Sequence, residues 1–251
     1  MLSSWGPDME ICDNQGMKNT SIYSGYRYPS QIISHAGWLY HRFTLSFRDI
    51  EELLAARGVI VSYETIRNWC QKFGQRYCNQ IRKNRGQLGD IWYLDEVFIK
   101  INGALHYLWR AVDQDGDEID ILVQKRKDKH AAKRLFKRLL KGQAATPIKI
   151  VTDKLRSYSA AKKELFPCVE HSTQQYENNR CELSHQPTRQ QEKQMRQFKS
   201  QGQAQRFLSS HGVVISLFRL GRHLMKASNY RVLRDRSFEE WNRVSCVQKL
   251  S

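Results

Sequence analysis

The feature that most constrains this chain is an almost unbroken apolar run, Ile91–Ile101, with two adjacent carboxylates in its middle. An ionised acid is costly to bury unless it pairs with a cation or binds a metal. Successive side chains of a strand point to opposite faces of the sheet. We therefore expect Asp95 to be a metal ligand, and Glu96 to be a salt-bridged or solvated structural charge on the other face.

The charge balance of the chain indicates a polyanionic partner. The 251 residues carry a net charge of +16, and the pI is near 9.7. Nucleic acid is the commonest polyanion that such a protein binds. Anionic membrane is the alternative, but there is no apolar run long enough to span a bilayer and no N-terminal signal pattern. We expect a nucleic-acid partner, no membrane association, and a cytoplasmic, nucleoid-associated location.

Length and cysteine content bound the architecture. A chain of 251 residues that is 40% hydrophobic can bury a substantial core, and we favour two domains. The six cysteines include no C-x-x-C pair, so neither a zinc ribbon nor a disulfide framework is indicated. We interpret them as reduced packing residues.

The first ninety residues predict a small helical domain. Residues 1–27 show little periodicity and are expected to form a mobile leader. Over residues 28–75, a helix opened by Pro29 precedes two short helices. The first of these has a capping box at Ser46, and the second is capped by Ser62 and ended by Gly74. Two short helices around a turn that contains a glycine predict a helix-turn-helix.

The second helix of this pair presents side chains of the kinds that contact base edges and phosphates. The candidates for DNA contact are Tyr63, Arg67, Asn68, Gln71 and Lys72. A helical hairpin with a merely solvated face is the alternative, and the residues alone leave both open. Residues 76–90, which are rich in Arg and Lys, are expected to form a basic linker.

Residues 91–230 predict an α/β domain. Asn102–Gly103 and Asp115–Gly116 are hairpin signals, so the first three strands are expected to form an antiparallel meander. A basic-faced helix over 127–141 precedes a short strand ending in Asp153, a helix over 157–165 and a weak strand near 168–171. Long helices follow, and then a tail at 231–251. This element order is that of the RNase H-like fold.

In that fold, two strands and a later helix bring three acids to one edge of the sheet. Asp95 lies in the middle of the first strand, Asp153 ends the fourth, and Glu182 lies at the start of a helix. Glu182 has an alternative role, because Asn179 and Glu182 have the spacing of a capping box. Glu177 and Glu192 are neighbouring candidates for the third acid.

Four motifs follow one another in the chain: Ser62–Trp69, Trp92–Phe98, Val151–Tyr158 and Asn178–Arg189. Together they resemble bacterial insertion-sequence transposases of the Asp-Asp-Glu type, and more narrowly insertion-sequence family six, the small cointegrate-forming group. The resemblance covers roughly residues 28–241. It implies an RNase H-like, retroviral integrase-like catalytic domain behind a helix-turn-helix that binds the terminal inverted repeats of the element.

The resemblance also implies the chemistry. Asp95, Asp153 and Glu182 match the three catalytic acids, which would hold two Mg²⁺ ions, with Mn²⁺ as an alternative. Such an enzyme nicks double-stranded DNA at the element ends and joins the 3′-hydroxyls to target DNA, as a homodimer or larger assembly that holds two ends together. Lys154 and Arg189 are candidates for binding a phosphate near the metals.

Two other functions stay open at this point. One is a catalytically decayed DNA-binding regulator derived from such a transposase. The interval from Asp153 to Glu182 is a few residues shorter than the family usually shows, which affects the loop between the acids and leaves their assignment in place. The other is a structure-specific nuclease of the same fold, which cuts strands without joining them. All three bind DNA with steep salt dependence, so strand joining is the property that separates them.

Overall fold

The computed structural model describes residues 22–43, 45–86, 88–142, 146–153, 155–174, 177–178 and 198–246. The helices are α1 Ser30–Arg42, α2 Phe47–Ala55, α3 Tyr63–Asn84, α4 Lys129–Gly142, α5 Arg156–Leu165, α6 Gln201–Phe218 and α7 Ala227–Val244, with a 3₁₀ turn at Arg222–Leu224. The strands are β1 Ile91–Ile101, β2 Ala104–Val112, β3 Glu118–Gln124, β4 Lys149–Thr152 and β5 Glu170–Ser172.

The five strands form one mixed sheet in the order β3-β2-β1-β4-β5. β1, β2 and β3 pair antiparallel, whereas β4 is parallel to both β1 and β5. The predicted hairpin between β1 and β2 is confirmed, with positive φ at Asn102 and Gly103. This strand order, with a helix between β3 and β4 and another between β4 and β5, confirms the RNase H-like fold class.

The apolar run of β1 is explained by burial on both faces of the sheet. Trp92 and Leu94 point to one face and pack with residues of α4 and α5. Ile99 and Ile101 point to the other face, where they share a core with α6 and the N-terminal helices. A central strand covered on both sides needs apolar residues at successive positions, and this is why the sequence shows a run rather than an alternation.

The N-terminal helices form as the capping signals predict. The Ser46 hydroxyl accepts a hydrogen bond from the Asp49 N–H at 3.1 Å, and the Asp49 carboxylate accepts one from the Ser46 N–H at 2.7 Å. Ser62 caps α3 through the Thr65 N–H. α2, the turn after it and α3 are consistent with a helix-turn-helix. Within the described residues, no helix is both long and apolar enough to cross a membrane.

The expected end of α3 at Gly74 is wrong, because the helix continues to Asn84. Buried Tyr77 and Ile81 extend the apolar stripe of the helix past this glycine. Gly74 instead allows the His41 ring to lie against the helix backbone, where a Cβ would meet Nε2 at 2.6 Å. Most of the predicted basic linker is therefore helical.

Both predicted terminal segments contribute to the core, contrary to expectation. Tyr23, within the predicted leader, is buried and shares a hydrogen bond of 2.7 Å with the Tyr77 hydroxyl. At the other end, α7 begins before the predicted tail, and its Trp241 and Val244 are buried in the same core. The expectations for residues 1–21 and 247–251 lie outside the described residues.

A buried carboxylate joins the helices to the sheet. Glu118, at the start of β3, is 4% exposed and lies 3.7 Å from Arg110 of β2 and 3.9 Å from Arg82 of α3. Arg85, which follows α3, donates a hydrogen bond of 2.7 Å to the Glu118 backbone oxygen. Burial raises the pKa of Glu118, and the charges of Arg110 and Arg82 oppose that rise.

We expect Glu118→Gln to lower the free energy of unfolding by about 3–5 kcal/mol, because it removes the counter-ion of a buried arginine. Asp235→Ala is the control. It breaks the Arg234–Asp235 pair, whose side chains are 45% and 64% exposed. This change should alter stability by about 1 kcal/mol at most. Urea denaturation followed by tryptophan fluorescence measures both, and equal effects would contradict a special role for Glu118.

Candidate active site

The sheet brings two of the sequence-predicted acids together. β1 and β4 are parallel neighbours, and Leu94 pairs with Thr152 in their register. The residue after each of these is an aspartate, so Asp95, within β1, and Asp153, just past the end of β4, lie side by side. One carboxylate oxygen from each lies within 4.8 Å of the other.

Backbone N–H groups donate to both carboxylates, and a side chain holds the backbone at Asp153. Asp153 Oδ1 accepts a hydrogen bond of 3.0 Å from the Leu155 N–H at the start of α5. The Thr152 hydroxyl donates to the Asp153 backbone oxygen at 2.7 Å and is hydrogen-bonded to His171 Nε2 at 2.9 Å. Asp95 Oδ1 accepts from the Glu96 N–H at 2.7 Å. These hydrogen bonds therefore fix the orientation of the two acids.

Glu96 is closer to this pair than strand alternation suggested. Its ion pair with Lys127 agrees with the expectation of a salt bridge. Yet one of its carboxylate oxygens also lies within 4.8 Å of ligand atoms of Asp95 and Asp153. The physical reason is that Asp153 lies just beyond the end of β4, where side chains from both faces of the sheet can approach it.

The electrostatics of Glu96 reflect this crowding. Its side chain is 3% exposed. Burial raises its pKa to about 7; the hydrogen bond from Lys127 opposes this rise, and the charge of Asp153 adds to it. Partial burial lowers the pKa of Lys127, but the hydrogen bond and charge of Glu96 outweigh burial, so that the net shift is upward.

The cluster suits a hard divalent cation. Three carboxylates supply closely spaced oxygen ligands of the kind that Mg²⁺ and Mn²⁺ prefer. Glu96 Oε2 is buried and accepts no well-formed hydrogen bond from the described residues, although the Tyr158 hydroxyl lies close enough to oppose the rise of the Glu96 pKa. A bound cation would neutralise the charges that here repel one another.

The third predicted acid, Glu182, lies outside the described residues, as do Lys154, Arg189 and the alternative Glu192. Two residues that precede Glu182 are described. Asn178 Nδ2 donates a hydrogen bond of 2.9 Å to the backbone oxygen of Leu94, directly before Asp95. The other alternative, Glu177, accepts from the Ser172 hydroxyl and pairs with Lys149 at 2.7 Å, so its carboxylate is engaged away from the aspartates.

A cleft of about 810 Å³ lies between α6 and the N-terminal helices, and we call it the shared cleft. Tyr63, Arg67 and Gln71, which were predicted to contact DNA, line it. Exposed Asn68 does not line it, and Lys72 Nζ instead lies 4.8 Å from the centre of the Tyr26 ring. The structure therefore divides the predicted contacts between two surfaces of α3.

The opposite wall of the shared cleft was missed by the sequence analysis. Lys199, just before α6, and Gln203 and Arg206 within it also line the cleft. They carry no motif, and nothing in the local sequence places them opposite α3. These side chains face α3 only because α3 and α6 pack against each other in the folded protein.

An RNase H-like sheet with paired aspartates at β1 and β4 defines a class of nucleic-acid-processing domain, and comparison with known proteins identifies the family. The family model described as a DDE domain matches residues 89–220, which is more than half of the chain. The protein therefore belongs to the DDE family of insertion-sequence transposases, and it is a DNA-processing enzyme.

The relatives agree with this assignment. The chain is 35% identical over 164 residues to the transposase for insertion sequence-like element IS431mec of Staphylococcus aureus, covering 63% of this chain and 73% of that protein. It is 34% identical over the same length and coverage to the transposase for insertion sequence element IS257 in transposon Tn4003, also from Staphylococcus aureus. The resemblance to insertion-sequence family six is confirmed.

Solved structures show a weaker likeness. The HTLV-2 integrase catalytic core domain in complex with magnesium, in its trimeric form, covers 57% of this chain and 94% of its own, with 16% identity and a TM-score of 0.38. The catalytic core domain of BIV integrase covers 61% and 99%, with 14% identity and a TM-score of 0.32. The assignment rests on the family match and the transposase relatives.

The raised pKa of Glu96 predicts a pH-dependent stability difference in the metal-free protein. Because its pKa in the folded state is about 7, against an ordinary 4.5, its stabilising contribution is complete below the ordinary value and is lost as pH rises through about 7. The Glu96→Gln variant does not titrate there. Its unfolding midpoint in urea with EDTA should therefore rise, relative to wild type, between about pH 5 and about pH 8.

Glu177→Gln is the matched control for this experiment. The hydrogen bonds from Lys149 and Ser172 lower the pKa of Glu177, so this carboxyl stays ionised across the same pH window. The difference between this variant and wild type should therefore be constant. A constant difference for Glu96→Gln as well would contradict the raised pKa.

Proposed function

We propose that this transposase binds the terminal inverted repeats of its insertion sequence and catalyses Mg²⁺-dependent DNA cleavage and strand transfer. Asp95, Asp153 and Glu182 are the proposed catalytic residues and metal ligands. The observation that carries the proposal is the placement of Asp95 and Asp153 side by side on neighbouring strands, with carboxylate oxygens within 4.8 Å.

The proposed role of Glu182 is supported by the anchor at Asn178. That residue bonds to the backbone beside Asp95. Glu182 follows it by four residue steps, which span at most roughly 14 Å in a fully extended chain. This reach is compatible with the proposed role of Glu182 as the third acid, whereas Glu177 is engaged with Lys149 and Ser172.

In the proposed mechanism, the acids hold the metal ions, and the metal ions supply the chemistry. Two bound Mg²⁺ or Mn²⁺ ions would supply activation of a water or 3′-hydroxyl and stabilisation of the leaving oxygen. The chain holds the acids in register through the Thr152–His171 contact and the start of α5. Lys154 and Arg189 are proposed to bind phosphates of the same DNA.

Strand joining on DNA with the element ends tests the catalytic proposal. Asp95→Asn, Asp153→Asn and Glu182→Gln should each reduce joining by about a hundredfold or more, because each removes a metal ligand. Binding of the same DNA should persist. Glu177→Gln is the control and should join ends as wild type does, since its carboxylate is engaged elsewhere.

The outcomes of this assay separate the alternatives. Wild-type protein that binds the ends but neither cuts nor joins them would be the decayed regulator. Wild-type protein that cuts without joining would be the nuclease. Full activity in all three acid variants would refute the proposed metal site.

Sequence reading is proposed to come from α3. Arg67→Ala and Asn68→Ala should weaken binding to the terminal repeats more than binding to a shuffled duplex, with about 1–3 kcal/mol of lost discrimination if each reads a base. Fluorescence anisotropy at fixed salt measures both affinities. Arg134→Ala, on the exposed face of α4, is the control and should leave both unchanged. Equal losses on both duplexes would show that these residues do not read sequence.

The proposed reaction also requires two DNA ends in one assembly. We propose a homodimer or larger assembly on double-stranded DNA, in which each copy of the chain binds one terminal repeat before joining to target DNA. The cytoplasmic, nucleoid-associated location follows from this partner as a proposal.

A further inference from the structure

We infer that α6 forms the second wall of the DNA-end site, and that one sugar–phosphate strand of the duplex lies in the shared cleft between α6 and α3. The inference rests on the proposed DNA binding by α3 and extends it to residues outside the helix-turn-helix. Lys199 and Arg206 are the residues that it assigns to the phosphates.

The charges of the shared cleft match a phosphodiester backbone. Arg48 and Arg67 contribute from the N-terminal helices, and Lys199 and Arg206 contribute from the opposite side. No Asp or Glu is among the described residues that line the cleft. Nor does any of the four cations form an ion pair with a carboxylate of the described chain. Exposed Glu64 of α3 interacts electrostatically with Arg48 and Arg67, but it is not among the residues that line the cleft. With four cations and no acid in its described lining, the concavity attracts a polyanion.

The floor of the shared cleft is aromatic and uncharged. Tyr40 and Phe47 stack with their ring centres 4.3 Å apart, and the His41 ring stacks on Phe207. His41 is 3% exposed, and neither of its ring nitrogens has a hydrogen-bond partner within the described residues. Burial lowers its pKa to about 3, so the ring stays neutral. The cleft therefore combines aromatic rings, which offer apolar contact to sugars, with cations that attract phosphates.

The amino end of α6 adds to the electrostatic field of the cleft. The Ser200 hydroxyl caps the helix through the Gln203 N–H, and Gln203 Oε1 accepts a hydrogen bond of 2.9 Å from the Lys199 N–H. All three residues line the cleft. The helix therefore directs its positive end toward the same concavity as the four cations.

Volume decides which part of the DNA enters. The cleft, at about 810 Å³, is of the size of a small-ligand site and admits a segment of one strand rather than a whole duplex. With that strand in the cleft, Lys199 and Arg206 contact its phosphates from the α6 side. Arg67 and Gln71 lie across the cleft on α3, the helix from which the proposed base contacts are made. Phosphate contacts position the duplex but carry no sequence information.

α6 is also fastened to the catalytic sheet. Gln201 Nε2 donates to the Val123 oxygen at 2.8 Å, and Gln205 Oε1 accepts from the Val123 N–H at 2.8 Å. Just before α6, the Phe198 oxygen accepts from the Asn102 N–H at 2.8 Å, at the end of the strand that carries Asp95. A phosphate held by α6 is therefore fixed relative to the catalytic strand.

The test measures binding of Lys199→Ala, Arg206→Ala and the double variant to two short duplexes. One duplex carries the terminal repeat of the element, and the other has a shuffled sequence. Each single change should weaken binding to both duplexes alike, by about three- to tenfold. The slope of log affinity against log salt should fall by about one for each residue removed.

Controls separate a phosphate contact from a folding defect. Arg206→Lys keeps the charge and should retain most of the affinity, and Arg134→Ala on α4 should bind as wild type does. Unchanged thermal unfolding midpoints show that the variants fold. Wild-type affinity and salt slope in the folded double variant would overturn the inference, as would a loss confined to the terminal repeat.

The same experiment distinguishes failure of this inference from failure of the proposed function. If wild-type protein binds and joins the ends while the cleft variants are unaffected, only the role of α6 is wrong. If wild-type protein binds neither duplex, the proposed DNA binding itself fails.

Discussion

Glu118 and its surrounding arginines determine how the helical and α/β parts of the chain fit together. Glu118 is the first residue of β3, and its carboxylate faces Arg110 of β2 and Arg82 of α3. α6 covers this carboxylate so closely that a Cβ at Gly212 would lie 2.1 Å from its Oε2 atom. A buried acid is tolerated only when its charge is compensated, so α3 and α6 must approach the sheet in one arrangement. That arrangement also creates the shared cleft between them.

Local signals explain how much of the fold could be predicted. Some signals determine structure within a few residues along the chain: the capping residues, the Asn102–Gly103 turn and the apolar run of β1. The helices and strands that these signals predict are present. Gly74 was misinterpreted because its role depends on His41, which comes from another helix. Glycine ends helices and also permits close packing, and only the tertiary neighbour separates these two uses.

In the candidate site, too, residues with a local sequence signal were predicted, and residues placed by tertiary contacts were not. Asp95 and Asp153 were predicted from strand order and from a family motif, and the parallel register of β1 and β4 brings them together. Glu96 was placed too far from them, because alternation describes a strand but not the residue just past its end. Lys199 and Arg206 had no local signal at all. Glu182, with Lys154 and Arg189, lies outside the described residues and stays a prediction.

The continuity of α3 has a geometric consequence. Its 22 residues form a rod of roughly 33 Å, with the proposed DNA-reading face at one end and the Glu118 contact at the other. Successive residues of an α-helix are rotated by about 100° about its axis, so the number of residues between the two ends fixes the angle between their side chains. One residue inserted between them would rotate the reading face away from the shared cleft without altering either surface. The helix therefore sets the rotation of the proposed DNA-reading face relative to the sheet.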